Sequence, residues 1–330
     1  KQNSTPAHTV GKPAEMGINK IFYGAPGTGK SHSVDGLLGD ISDEFAVRTV
    51  FHPDTQNSDF FGCLKPKMVN GGVQYGFAPG PFSTALRKAY LDPDHHYFLV
   101  IEELNRAPAA AVFGELFQLL DRDAFSGKGK YRVDYPNEES REWFSEQSCH
   151  QERLEMPSNL SILATMNSAD QGVYPLDTAF RRRWEQEYVP LYSDECPEGR
   201  IRFIGKHGPV ETSWKDFVHC LNNLLISDVG IEEDRLLGQW FVNSTELNSD
   251  RIPSKILLYL WDDLLRHEGR EAVFASWLKT FGGIDKAITD EKTILSDKLC
   301  DILSTHAIIQ PENEAEVNVT AEAQAEKTDD

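Results

Sequence analysis

Near the N-terminus the residues Gly24, Ala25, Pro26, Gly27, Thr28, Gly29, Lys30 and Ser31 match G-x-x-x-x-G-K-[ST] at every fixed position, directly after the apolar run Ile21-Phe22-Tyr23. Those residue types make a phosphate cradle. Glycines let several backbone N–H groups turn inward on phosphate oxygens, and a helix starting just after them adds the positive end of its dipole. Lys30 then reaches the β/γ-phosphates and Ser31 ligates Mg²⁺. The expected ligand is therefore a nucleoside triphosphate, ATP or GTP, with its magnesium ion, held by Gly24 through Ser31 and by His32. The competing reading is a chance glycine-rich turn, and the segments downstream weigh against it.

Phe98-Leu99-Val100-Ile101 runs straight into Glu102 and Glu103. An apolar strand ending in two acids can orient Mg²⁺ or its waters with the first, here Glu102, and position the attacking water as a base with the second, here Glu103. Alone, the same pattern would also fit a strand ending in solvated acids. Glutamate at 102 stands where aspartate is usual, which raises a further possibility, a switch that binds nucleotide and hydrolyses it slowly. A third strand-like run, Leu160 to Met166, delivers Asn167, whose neutral amide can hold the lytic water or the γ-phosphate, with Asp170 three residues on. Asp177 to Trp184 then carries Arg181, Arg182 and Arg183 in succession. On a helix three consecutive residues fan over about 200°, so one face cannot aim all three at one phosphate. Arg181 and Arg182 are the candidates for neutralising charge in a neighbouring subunit's site; a solvated basic helix end is the alternative.

Elements that could position these groups follow from the hydrophobic pattern. Apolar runs at Ile21–Tyr23, Ala46–Phe51, Tyr97–Ile101 and Leu160–Met166 alternate with helical stretches, which predicts an α/β fold with a parallel sheet covered by helices. Ligands of such sheets sit at the carboxyl ends of the strands, where each run meets its polar group. From about residue 195 the spacing turns helical, as in Trp214, Phe217, Val218, Leu221, Leu224 and Leu225, then Ile256, Leu257, Leu260, Trp261, Leu264 and Leu265. These stripes read as the core of a mostly helical second module. The stretch Tyr131–Pro157 reads as a projecting hairpin, either facing a partner or substrate or simply solvated. His95-His96 reads as loop surface rather than a metal site.

Composition sets outer bounds. The chain has 330 residues, 40% of them hydrophobic and 10% aromatic, which suits one sizeable core plus a smaller module. Its formal charge of −19 argues against a uniformly basic nucleic-acid surface. No run nears the ~18 apolar residues of a membrane span and no secretory signal is evident, so the expected location is cytoplasmic. Five cysteines without C-x-x-C spacing predict buried free thiols. The predicted organisation is a leader over 1–18, a nucleotide-binding domain over 19–192, a helical lid over 193–310 and a disordered acidic tail over 311–330. The chain opens at Lys1 rather than methionine, and a preceding segment, such as an N-terminal domain, is expected.

The order of phosphate loop, acidic strand, sensor asparagine and arginine cluster resembles an AAA+ ATPase. Finer features resemble the McrB branch, the GTP-dependent motors of modification-dependent restriction: FHPDTQNSDFFGCLKP from Phe51, YGFAPGPFSTALRKA from Tyr75, EELNRAPAAAVFGELFQLLD from Glu102, MNSAD from Met166 and LDTAFRRRWE from Leu176. The match covers about residues 20–192. It is looser beyond, resting on RLLGQWF at Arg235 and KILLYLWDDLLR at Lys255. This resemblance implies an αβα nucleotide domain, a helical lid, and a ring, as a hexamer, with nucleotide at subunit interfaces. It also implies a McrC-like endonuclease partner, with DNA engaged through that partner or through a missing N-terminal domain. In that family M-N-x-x-D accompanies guanine nucleotides, which Met166, Asn167 and Asp170 fit, yet nothing in the residues reads the purine edge. The alternative is a MoxR-like ATPase that remodels protein partners without DNA.

Overall fold

The structure, a computed structural model, describes residues 11–69, 71–146, 151–168, 172–247 and 251–308. Asp170, Cys149, the start of the leader and the acidic tail lie outside the described residues. The chain divides into two compact units, one of residues 1–25 and 29–190, the other of Pro26–Thr28 with Leu191 onward.

The first unit runs β1 (Asn19–Gly24), α1 (Lys30–Leu38), β2 (Ala46–Val50), α2 (Asn57–Phe60), β3 (Gly62–Val69), β4 (Gly72–Pro79), α3 (Pro81–Leu91), β5 (Tyr97–Glu102), α4 (Ala109–Phe113), β6 (Arg132–Val133), α5 (Glu138–Ser145), β7 (Leu154–Glu155), β8 (Leu160–Asn167), α6 (Thr178–Arg181) and β9 (Glu185–Tyr188). Five strands form one sheet in the order β2-β5-β8-β1-β9, every pair parallel. The expected parallel α/β sheet is present, and β9 is added to it. The EQEY stretch of β9 is exposed throughout and carries no apolar run, so nothing in its pattern marks a strand.

Side-chain alternation explains why this sheet is buried on both faces. Along β5, Tyr97, Leu99 and Ile101 join one apolar cluster with Phe60, Phe82 and Phe113, whereas Phe98 and Val100 join Phe22, Val34, Leu38 and Leu163 on the other face. The N-terminal ends of β1 and β8 are tied by Arg122, which donates to Asn19 Oδ1 at 2.8 Å and to the carbonyls of Gly127 at 2.8 Å and Leu160 at 2.6 Å. Burial pulls its guanidinium pKa down to about 9, so it is still charged at neutral pH.

Three expectations need correcting, the first two within this unit. Among its described residues the 131–157 stretch is not a plain projecting hairpin. Its ends pair, as β6 with β7, but between them lies α5, whose first turn is capped by Asn137 Oδ1 accepting from Ser140 N at 2.8 Å. Phe144 of α5 is fully buried against Phe61, Tyr90 and Tyr135, and this apolar contact folds the element back onto the core. His96 is not loop surface either: at 3% exposed it accepts from Glu15 N on Nδ1 at 3.2 Å and donates from Nε2 to Ser161 Oγ at 2.8 Å. Nor are the thiols uniformly buried, because Cys63 and Cys196 are half-exposed while Cys220 and Cys300 are enclosed.

The second unit contains β10 (Arg200–Gly205), β11 (Gly208–Ser213), α7 (Trp214–Leu224), α8 (Ser244–Leu247), α9 (Ser254–Leu258), α10 (Arg270–Val273), α11 (Phe281–Thr289) and α12 (Asp297–Ser304). It is largely helical, with one antiparallel hairpin, β10–β11, closed at Gly205↔Gly208. Both helical stripes form core. Trp214, Phe217, Val218, Leu221, Leu224 and Leu225 are buried along α7 and the π-type turn that extends it, and Ile256, Leu257, Leu260, Trp261, Leu264 and Leu265 are buried along α9 and its extension. Within this unit Gly238 N donates to Pro26 O at 2.9 Å and Trp240 N donates to Gly27 O at 2.7 Å. The approach is backbone to backbone: a Cβ on Gly238 would lie 2.3 Å from the carbonyl carbon and oxygen of Gly27.

Candidate nucleotide site

The phosphate loop leaves the carboxyl end of β1 and enters α1. Gly27 and Gly29 have φ of 72° and 93°, the left-handed region that glycine tolerates and most residues do not. Gly24, Ala25, Thr28 and Lys30 are buried, Pro26, Gly27 and Gly29 half-buried, and Ser31 and His32 exposed on the first turn of α1. Lys30 is 8% exposed, and its Nζ donates to Gly24 O at 3.2 Å and Ala25 O at 2.7 Å. Both contacts hold the ammonium at the mouth of the loop. The loop conformation, that cation and the helix start fit a polyphosphate.

Adjacent strands bring the acids to the same sheet edge. β8 lies between β1 and β5, with Gly24 opposite Asn167 and Ile101 opposite Ala164. Ser31 Oγ donates to Glu102 Oε2 at 3.2 Å, and Thr165 Oγ1 donates to the same oxygen. Arg48 Nη1 lies 3.9 Å from Glu102 Oε1. A hydroxyl beside a carboxylate is an all-oxygen donor set, which fits Mg²⁺ with waters and phosphate oxygens completing its shell.

Glu103 follows in a conformation unusual for a side-chain-bearing residue, φ 55° and ψ 46°. That turn aims its carboxylate back along the strand ends, where Asn167 Nδ2 donates to it at 3.2 and 3.4 Å and Arg106 Nε lies 3.5 Å away. Asn105 donates from Nδ2 to Asn167 O at 2.7 Å, joining the turn to the end of β8. Backbone strain of this kind costs of order 1–3 kcal/mol and collects where chemistry is done. Thr165 and Asn105 are not among the residues that the motifs single out. Their signal was slight, since a threonine inside a strand and an asparagine after an acid are ordinary in those places.

The arginines separate as a helical fan requires. Asp177 Oδ1 caps α6 by accepting from Phe180 N at 2.7 Å. Arg183 turns inward, donating from Nε to Asp121 Oδ2 at 2.6 Å and from Nη1 to Ala179 O at 2.7 Å, with its guanidinium 3.8 Å from the Phe117 ring centroid. It is a structural residue. Arg181 is exposed and donates to Gln186 Oε1 at 2.8 Å, and Arg182 is exposed. The structure thus joins Lys30, Ser31, Glu102, Glu103 and Asn167 at one edge of the sheet.

An AAA domain of the dynein-related subfamily matches residues 19–184. Over 315 residues the chain is 34% identical to the type II restriction enzyme BsuMI component YdiS of Bacillus subtilis (strain 168), covering 84% of this chain and 91% of that one. The chain belongs to the AAA+ family, in its McrB-type branch. This AAA+ protein is also 28% identical over 184 residues to the type IV methyl-directed restriction enzyme EcoKMcrB subunit of Escherichia coli (strain K12), a match spanning 54% of this chain and 37% of that subunit. A solved structure from Cytophaga hutchinsonii aligns over 91% of this chain and 81% of its own at 16% identity with a TM-score of 0.33, too loose a likeness to carry an argument. Membership in this family implies nucleotide binding. No helix among the described residues is long and apolar enough to cross a membrane.

Proposed function

We propose that this AAA+ protein hydrolyses ATP or GTP as the ring-forming motor of a restriction system, driving a McrC-like nuclease partner. The observation that carries the reading is Glu103, held in a left-handed turn at the sheet edge with Asn167 on its carboxylate and the phosphate loop two strands away. Both relatives are restriction-enzyme components.

In this reading the loop N–H groups and Lys30 bind the triphosphate. Glu103 orients a water and accepts its proton as the oxygen attacks the γ-phosphorus and the bond to the bridging oxygen breaks, with Asn167 holding the carboxylate in line. Ser31 and Glu102 would hold Mg²⁺, which would supply neutralisation of the negative charge on the phosphates. Arg181 and Arg182 reach a neighbouring subunit's site. The organisation proposed is a nucleotide domain over 19–192 and a lid over 193–310, working in the cytoplasm on DNA through the partner.

The test mixes two inactive variants. Arg181→Ala/Arg182→Ala combined with Glu103→Gln should regain phosphate release, because some mixed interfaces pair an intact base with intact arginines. Absence of rescue in rings confirmed as mixed would overturn a shared site. Parallel assays with ATP and GTP, with and without the nuclease, identify the nucleotide, and no turnover of either under any condition would sink the motor reading.

A further inference from the structure

We propose that Thr165 is the positioning residue that sets both acids of the site, and that it is the fixed point which lets glutamate serve at 102. The proposal rests on the nucleotide-site reading above and adds a residue to it. Thr165 is 3% exposed, next to last but one in β8, beside the end of β5. A hydroxyl has one proton to donate and lone pairs to accept. Thr165 uses both capacities on consecutive residues: Oγ1 donates to Glu102 Oε2 and accepts from Glu103 N at 3.3 Å.

The two bonds have different consequences. The first fixes one oxygen of Glu102 beside the Ser31 hydroxyl, which donates to that same oxygen. Glutamate is longer than aspartate by one methylene, roughly 1.5 Å of extra reach, and gains a rotatable bond; without a fixed partner its carboxylate would sample rotamers away from Ser31. The second bond anchors the peptide that enters the left-handed turn of Glu103, the conformation that brings this carboxylate to Asn167. One buried hydroxyl therefore registers the metal-orienting acid and the base against a single rigid strand. Groups that orient ligand-holding carboxylates without touching the metal typically change metal affinity or activity about 10–100-fold when removed.

Thr165→Val keeps the branched shape and removes the hydroxyl, and Thr165→Ser restores it. Two readouts are taken on the full chain: Mg²⁺ titrations of fluorescent ATP or GTP analogue affinity, and steady-state phosphate release. With Thr165→Val, the Mg²⁺ needed for half-maximal effect should rise about tenfold and kcat should fall about 10–100-fold, while affinity without Mg²⁺ changes little. Thr165→Ser should recover both to within about threefold. In a Glu102→Gln background Thr165→Val should add little to the Mg²⁺ requirement, since its effect runs through that carboxylate. An unchanged Mg²⁺ requirement in a Thr165→Val protein that melts like the parent overturns the proposal, as does a serine variant as impaired as valine. Should the parent show no turnover, the hydrolysis reading fails by itself, and the Mg²⁺ titration still decides Thr165.

Discussion

Replacing Glu103 by glutamine separates chemistry from architecture, because the geometry gives different magnitudes for the two. Glutamine keeps the side-chain length, the left-handed backbone and one acceptor for Asn167 Nδ2, which lies 3.2 Å from Oε1. What is lost is proton acceptance and the charge facing Arg106 at 3.5 Å. Those side chains are 35% and 34% exposed, so solvent screens the pair, and such pairs contribute about 0–1 kcal/mol. A loss of that size lowers Tm by roughly 2–4 °C at most in a domain of this size. Removal of a general base costs about 10²–10⁴ in rate, which at about 1.4 kcal/mol per decade is roughly 3–5 kcal/mol in the barrier. Phosphate release should therefore collapse in a protein that melts almost like the parent and binds nucleotide as well or better. Turnover within about threefold of the parent would remove Glu103 from the role of base. A turnover loss accompanied by a large fall in Tm would refute the geometry, since it would make the carboxylate a structural support.

Lys30→Ala removes the cation at the loop, worth about 4 kcal/mol at 4 Å for an effective dielectric near 20; nucleotide affinity should fall about 10³-fold in titrations, and parent-like affinity would contradict the site. Gly238→Ala drives a methyl into the Gly27 backbone at 2.3 Å, so nucleotide affinity should drop although neither residue is charged, and crystallography or exchange protection should show a displaced 26–28 segment. Burial lowers the His96 pKa below its ordinary 6.5, so the folded state binds fewer protons than the unfolded chain. Its contribution to stability is whole above about pH 6.5 and is lost as pH falls through the folded value. Denaturant midpoints should decline between pH 7 and 5 with a slope of up to about 1.4 kcal/mol per pH unit from this group. His96→Gln should flatten that slope, and an unchanged slope would assign it to other residues.

What could be read from the sequence alone was the chemistry that lies next to its own strand in the chain. Gly24 to Ser31 follow β1, Glu102 and Glu103 end β5, and Asn167 ends β8, so each group is placed by a local apolar run whose period and length are visible without a fold. The α/β class followed from the same alternation, and the helical second unit from its 3.6-residue spacing. Tertiary structure decided everything that depends on a partner far away in the chain. Thr165 looks like any strand threonine until β5 and β8 pair and bring Glu102, 63 residues away in sequence, onto its hydroxyl. Arg183 is indistinguishable from Arg181 and Arg182 until Asp121 and Phe117 take it inward. His96 and α5 likewise read as surface, because burial is a property of what packs against a segment and not of the segment. β9 has no apolar signal at all: backbone hydrogen bonds to β1 make it a strand, and those bonds exist only once the sheet is assembled.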